Sequence, residues 1–421
     1  MANTPLTAFI VAYVLSLLAR LGLRRLNITH LQRHGHVVPE VFRGRIQPEK
    51  LSRMRDYTVA TTSLGSLAIL VADIAALALV LSGFLPFLAA SQILTGLHPV
   101  ASGLAFIFVC SVILGLLDVP FDLYDTFVIE RRFGFSTITF RLWLKDLVKT
   151  FCLTCVLMGA ILAVFLALIH ALPGMWWIPA WAAFALFQLL VTWLYPSLIA
   201  PLFNTFKPVQ DESLRGRIHS LIEKAGFRLK GLYTMDASTR SRHSNAYFTG
   251  IGRSKRIVLF DTLLATHTAD EIEAVLAHEL GHLKLGHIRK QLALSVIISL
   301  AALYAASRLL SWPPLYEAFG FSGPVPYAGL FLLAVAMRPL SLILTPAASL
   351  MSRRFERQAD VFAWRLTGAS APLAQALKRL AEENLANLHP HPLYAWFYYS
   401  HPPIVGRIET LERMGEAPAG P

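Results

Sequence analysis

The stretch TADEIEAVLAHELGHLKLGHIRKQLALSVIISLAALYAASRLLS, residues 268–311, decides the fold. Thr268 followed three residues later by Glu271 forms a capping box, so a helix starts there. Ile272, Val275 and Leu276 then recur at helical spacing. The helix carries His278-Glu279-Leu280-Gly281-His282 and is expected to run on to His287. Positions i and i+4 share one helix face, so both imidazoles can meet one metal ion. Glu279, one step round, reaches a metal-bound water. This is the H-E-x-x-H arrangement of a zinc hydrolase, with two ligands and a general base within one turn. Directly downstream an apolar run occupies 290–311, long enough to cross a bilayer. A hydrolytic helix joined to a membrane span points to an enzyme built into a membrane.

The rest of the chain agrees. Of 421 residues, 55% are hydrophobic and only 15% charged. Mean hydropathy is +0.53. Soluble proteins carry about 25% charged residues, so this composition is that of an integral membrane protein. Further apolar runs lie at 5–23, 61–89, 100–121, 149–172, 175–200 and 325–349, which makes seven spans in all. The fourth and fifth are separated by the tight Leu172-Pro173-Gly174 turn and form a hairpin. Residues 1–7 carry no positive charge, and the first run ends in Arg20, Arg24 and Arg25 without a small-residue cleavage site. It is read as a retained span rather than a cleaved signal.

The net charge of +12 does not indicate nucleic acid, because no nucleic-acid motif accompanies it and the positive residues alternate between loops. The first loop holds Arg24, Arg25, Arg33, Arg43, Arg45, Lys50, Arg53 and Arg55, and the third holds Arg131, Arg132, Arg141 and Lys145. Loops 91–99 and 312–324 hold neither Lys nor Arg. Positive charge gathers on the cytoplasmic side, so the N-terminus is expected outside, and the hydrolase helix and the tail inside. Asp73 and Arg338 fall within spans, where charge is costly against lipid and faces a cavity or a partner. A structural salt bridge and a functional role both remain open for them. Cys110, Cys152 and Cys155 lie in apolar runs, and the C-x-x-C of the last two reads as packing rather than redox or metal chemistry.

Between the fifth and sixth spans, 211–226 reads as an amphipathic helix with Leu214, Ile218, Leu221 and Ile222 on one face and Gly226 as its stop. Strands are expected at 231–235, 245–250 and 256–260. After the seventh span comes Ser352-Arg353-Arg354-Phe355-Glu356-Arg357-Gln358-Ala359-Asp360, on a helix ending near Gly368. A site with two histidines from one helix needs a third protein ligand and an open position for water. Glu356 is assigned that place. Asp360, one turn on, holds a ligand imidazole by its second nitrogen. His287 reads either as a residue that supports a ligand histidine or, preferred here, as a solvated histidine complementing a helix end. Tyr394, Trp396, Phe397, Tyr398 and Tyr399 suit either a hydrophobic substrate groove or an interfacial aromatic belt. The expected fold is an all-α integral membrane protein of seven transmembrane helices, with a small α+β, gluzincin-like zinc-metalloprotease domain on the cytoplasmic side. Its divisions are 1–203 (five spans), 204–289 (metalloprotease segment), 290–349 (two spans) and 350–421 (tail with the third ligand).

These residues resemble a known family, the type I CAAX prenyl endopeptidases, integral-membrane zinc proteases of the yeast and vertebrate endoplasmic reticulum with bacterial relatives. The resemblance rests on 278–282 and 352–360, and on Asn245-Ala246-Tyr247-Phe248-Thr249-Gly250. It also rests on Tyr124-Asp125-Thr126-Phe127 with Arg132-Phe133-Gly134-Phe135, on Ala200-Pro201-Leu202-Phe203-Asn204, and on Ser400-His401-Pro402-Pro403 with Arg407-Ile408. It implies a seven-helix barrel around a water-filled chamber faced by Asp73 and Arg338. It implies one zinc ion per chain on His278, His282 and Glu356, with Glu279 as base. Asn245, Ala246 and Tyr247 would lie on the edge strand that takes the substrate backbone by strand addition. His401 and Arg407 would steady the substrate or the oxyanion. The implied reaction removes the C-terminal tripeptide of prenylated proteins, so the partners are a peptide or protein substrate and the lipid bilayer, with no nucleic acid. A chain ending Ala-Pro-Ala-Gly-Pro, without a retrieval signal, leads us to expect a bacterial inner membrane. The same chemistry would serve a quality-control protease of non-prenylated or misfolded membrane proteins. A transporter or scaffold would have no use for the intact zinc set.

Overall fold

The computed structural model describes residues 4–249 and 254–416. Among the described residues, six helices are long and apolar enough to cross a bilayer. They are α1 (Thr4–His34), α2 (Pro48–Leu81), α3 (Pro99–Arg132), α4 (Phe140–Ala171), α5 (Trp177–Phe203) and, after the peptidase segment, α8 (His287–Leu310). In between lie β1 (Phe206–Pro208), α6 (Glu212–Lys224), β2 (Arg228–Met235), β3 (Ala246–Thr249), β4 (Ser254–Phe260) and α7 (Ala269–Lys284). The chain continues through α9 (Pro326–Ala336), α10 (Ser341–Thr367), α11 (Ala371–Glu383), α12 (Pro392–Tyr398) and α13 (Ile404–Glu416).

The expected second and seventh spans differ from the observed ones. The second helix stops at Leu81, where Gly83 (φ +78) turns the chain into a short helix, Phe84–Ala89. The seventh is a pair, α9 and α10, bent by 62° at residues 337–340. Pro339 lies in that break, and the residue before a proline is disfavoured in helix. Arg338 sits there too. Asp73, only 1% exposed, is paired with both Arg20 and Arg338 and accepts from the Tyr13 hydroxyl at 3.1 Å. Asp73 therefore does not face open space. It is the hub of an ion-pair network that ties the bend to α1 and α2.

Local signals hold where they were strongest. Asp211 caps α6, its carboxylate accepting from the Leu214 amide at 3.0 Å, and Leu214, Ile218, Leu221 and Ile222 are all buried. Both halves of the Thr268/Glu271 capping box are formed. That helix ends at Lys284 rather than His287, because Gly286 (φ +67) starts a new helix at His287. The sheet order is β1-β2-β4-β3, with β2 parallel to β4 and β3 antiparallel on the outer edge. The expected strand 245–250 extends beyond the described residues at Gly250.

Two hydrophobic cores stand apart. One joins α6, the sheet, α7 and α11 to Phe42, Leu51, Met54, Ile129, Phe133 and Phe135 from the first membrane region. The other gathers Tyr13, Ala76, Leu79, Leu85, Phe106, Trp176, Tyr316 and Phe331. Helix α2 enters both, at Met54 and at Ala76. The 22 residues between these two positions rise about 33 Å at 1.5 Å per residue. The membrane helices between the cores bury little of themselves inside the protein, only 6% of the apolar window in α5 and in α8. Neighbouring spans meet side by side, α1 with α2, α3 with α4, α4 with α5 and α5 with α8, and together join the two ends. The peptidase core draws on all parts of the chain, and the division at 349/350 falls inside the unbroken helix α10.

Candidate metal centre

Helices α7 and α10 build the centre. Gly281 lets them meet, since a Cβ there would lie 2.8 Å from the Ala359 Cα. Ala359 falls between Glu356 and Asp360, so the contact turns both carboxylates toward the histidines of α7. The Nε2 atoms of His278 and His282 are 3.1 Å apart. Glu356 Oε2 lies 3.4 Å from His278 Nε2, and Oε1 lies 3.3 Å from His282 Nε2. These three residues form a group able to hold a metal ion. An ion bound tetrahedrally at about 2.0–2.1 Å spaces its ligands about 3.3–3.4 Å apart, so the donors already stand at the required separation. Glu356 is buried, and its Oε2 has no aligned hydrogen bond. Such an oxygen is costly unless a cation satisfies it.

The surroundings orient the donors. Asp360 Oδ1 lies 2.8 Å from His278 Nδ1, which donates to it and leaves Nε2 bare toward the ion. Arg407, from α13, grips Asp360 through Nε (2.9 Å) and Nη2 (2.6 Å), and its Nη1 lies 3.3 Å from Glu356 Oε2. The guanidinium is thus engaged behind the two carboxylates. His401 stands in front: its ring is 60% exposed and Nε2 lies 3.3 Å from Glu356 Oε1. Ser349 and Arg353 of α10 bond the carbonyls of Phe397 (3.0 Å) and Tyr399 (2.6 Å), which straps α12 to α10 and places the His401 loop. Of the aromatic residues there, Phe397 is buried in that strap and Trp396 is exposed. Glu279 makes no ion pair among the described residues, and burial pushes its carboxyl above the usual range, with His278 and His282 pulling the other way. A carboxylate so raised is suited to carrying a proton.

Of its two readings, His287 fits the supporting residue and not the preferred solvated helix end. It is 2% exposed, stacks on Phe355 at 4.1 Å, and places Nδ1 3.0 Å from His282 Nδ1 and Nε2 2.9 Å from Gln358 Oε1. Its Nδ1 accepts from the His282 Nδ1–H and its Nε2–H donates to Gln358 Oε1, orienting the His282 ring as Asp360 orients that of His278. Only the spacing from His282, five residues across a Gly286 turn, hinted at this.

The open edge of the sheet lies beside the centre, with β3 packed against α7. The Phe260 amide donates inward to the Asn245 carbonyl at 3.1 Å. The alternation of an antiparallel ladder then turns the backbone groups of Ala246 and Phe248 to the outer edge and those of Tyr247 inward. The Asn245 side chain accepts from the Ala246 amide at 2.8 Å.

Six spans, or seven when α9 and α10 are taken as one bent crossing, together with a His/His/Glu pocket define the class, an integral-membrane metallopeptidase. Residues 27–205 match the family described as CAAX prenyl protease N-terminal, five membrane helices, and residues 208–415 match peptidase family M48. The chain is similar to a probable CAAX prenyl protease 1 of Schizosaccharomyces pombe, with 39% identity over 73% of this chain and 65% of that protein. It is also similar to a CAAX prenyl protease 1 homolog of Homo sapiens, with 32% identity over 75% of each. The crystal structure of S. mikatae Ste24p superposes with a TM-score of 0.90, at 30% identity, over 97% of this chain and 99% of that one. The chain belongs to peptidase family M48, in the branch that carries the CAAX prenyl protease membrane region.

Proposed function

We propose that this protein is a zinc endopeptidase that cuts near the C-terminus of prenylated CAAX proteins at the cytoplasmic face of its membrane. The observation that carries the reading is the spacing of His278 Nε2, His282 Nε2 and the Glu356 carboxylate, 3.1–3.4 Å, with Glu279 on the same turn. Two imidazoles and one carboxylate in a tetrahedral set suit zinc. The loops rich in Arg and Lys support the cytoplasmic placement, with the N-terminus outside.

Zinc, when bound, supplies a water of lowered pKa and a Lewis acid for the scissile carbonyl. Glu279 takes the proton from the attacking water and passes it to the leaving amine. His401, open to the site, donates to the developing oxyanion, a role often worth about 3–4 kcal/mol. Arg407 acts through Asp360 and Glu356, holding both in place. Of Asn245, Ala246 and Tyr247, Ala246 with Phe248 beyond it offers outward backbone groups to the substrate as a further strand on the edge of β3, while Asn245 and Tyr247 hold that edge to β4 and align the peptide with α7.

The test is cleavage of a CAAX peptide, with and without a farnesyl group, by the purified zinc-loaded protein beside Glu279→Gln. Cutting that depends on Glu279 and favours the farnesylated peptide is expected. Equal cutting of both would replace prenyl processing with broader peptide hydrolysis. No cutting of either, with zinc bound, would overturn the substrate class.

A further inference from the structure

A second polar cluster sits where three parts of the chain meet, three residues before β3. The ring of His243 lies flat on Phe135, 4.1 Å between centroids and 20° between planes. Its Nε2 is 3.2 Å from Glu130 Oε2, near the end of α3. The other Glu130 oxygen accepts from the Tyr57 hydroxyl of α2 at 2.5 Å. On the opposite side, His243 Nδ1 is 2.9 Å from Oδ1 of Asn384, just after α11.

The charge state follows from which groups can donate. The Ser244 amide also reaches Asn384 Oδ1, at 3.3 Å. An amide N–H only donates, so Asn384 presents its oxygen here, and the histidine nitrogen facing that oxygen must carry hydrogen. The Glu130 carboxylate, already accepting from Tyr57, takes a hydrogen from the other nitrogen. Both ring nitrogens donate, which is the pattern of an imidazolium paired with a carboxylate.

Backbone bonds stitch the same seam. The Arg242 amide donates to the Phe135 carbonyl at 3.0 Å, the Thr137 amide to Arg240 at 3.2 Å, and the Thr262 hydroxyl to His243 at 2.9 Å. His243 and its two neighbours thus carry the bonds that join the entry to β3 to Phe135, Glu130, Thr262 and Asn384.

We propose that His243 is a positioning residue for the substrate strand: as an imidazolium it fastens the entry of β3 to membrane helix α3 and to the tail at Asn384, and so fixes how far the open edge stands from Glu279. This rests on the reading of β3 as the strand that takes substrate. The groups facing the ring are Glu130 from α3, with Tyr57 of α2 on its far oxygen, and the uncharged Asn384 and Phe135. Burial works against the charge, but Glu130 and Asn384 outweigh it and hold His243 above the ordinary histidine value. A histidine so raised keeps its clamp at neutral pH and below, and loses it as pH climbs through the raised pKa.

The experiment uses the zinc-loaded, detergent-solubilised protein and His243→Phe, which keeps a ring for the stack and removes both donors. Amide exchange of 244–248 should quicken in the variant while 270–283 stays protected, the sign of a local opening. With a cleavable peptide, KM should rise about tenfold while kcat and zinc content stay within about twofold, as misplacement of a binding element does. That KM difference from wild type should shrink between about pH 6 and about pH 9, as the wild-type imidazolium deprotonates. Glu130→Gln, which keeps shape and removes charge, should show a smaller rise and no such pH dependence. Unchanged exchange of 244–248, or equal quickening across 270–283, would overturn the proposal. So would Glu130→Gln behaving as wild type at every pH. If wild type cuts no peptide the proposed function fails, while the exchange comparison still decides the role of His243.

Discussion

Gly281 of α7 and Ala359 of α10 pass so closely that a Cβ on the glycine would lie 2.8 Å from the Ala359 Cα and 3.1 Å from its carbonyl oxygen. The glycine between Glu279 and His282 thus has a packing reason. Gly281→Ala gains about 1 kcal/mol of helix propensity but forces the helices apart, and overpacking of this kind costs about 1–3 kcal/mol. Zinc per chain and zinc affinity should both fall. A variant that melts higher and keeps its zinc would show that the helices have room.

Glu279→Gln should lower cleavage by about 10²–10⁴-fold, the usual weight of a general base, with zinc still bound. Zinc analysis beside the rate decides it. Loss of the metal would make Glu279 a structural residue.

Asp360→Asn removes the charge that holds the His278 imidazole, and His287→Phe removes the polar partner of His282 while keeping a ring. Each should weaken zinc binding about 10–100-fold, measured by competition with a chromogenic chelator. An unchanged affinity for His287→Phe would mean that its 3.0 Å approach to His282 does not orient the ring.

Removing zinc with a chelator should abolish cleavage without unfolding the protein, because the peptidase core is apolar and assembled from several helices. Circular dichroism before and after, and recovery on adding zinc, test this. A collapse of helicity would mean that the metal holds the module together.

Asp73→Ala strands Arg20 and Arg338 at the bend between α9 and α10. Breaking a buried pair from one side costs about 3–5 kcal/mol, and the partial exposure of Arg338 points to the lower end. The melting temperature in detergent should drop clearly, while the rate per zinc-loaded molecule holds. A rate that falls with the melt unchanged would give Asp73 a functional role instead.

The parts legible in the sequence were those whose physics is local. A capping box, an i/i+4 histidine pair and the apolar face of α6 each declare themselves within a few residues. Glu356 and Asp360 were reachable because one metal needs one more ligand. The sequence favours the wrong one of two readings of His287 because its burial depends on Phe355 and Gln358, about seventy residues away. The 62° bend was missed because composition alone does not separate a straight apolar run from two helices meeting at Pro339. His243 carried no motif at all. Its meaning lies in Glu130, 113 residues before it, and Asn384, 141 residues after it.

The separation of the two cores along α2 has a mechanical consequence. With the apolar packing concentrated at a floor and a roof, each end is expected to loosen while the other stays shut. Heat or detergent acting on the far end would undo the cap formed around Tyr316 and Phe106 and leave the catalytic floor standing. Residual activity and overall melting would then part company, two clocks in one molecule running at different speeds.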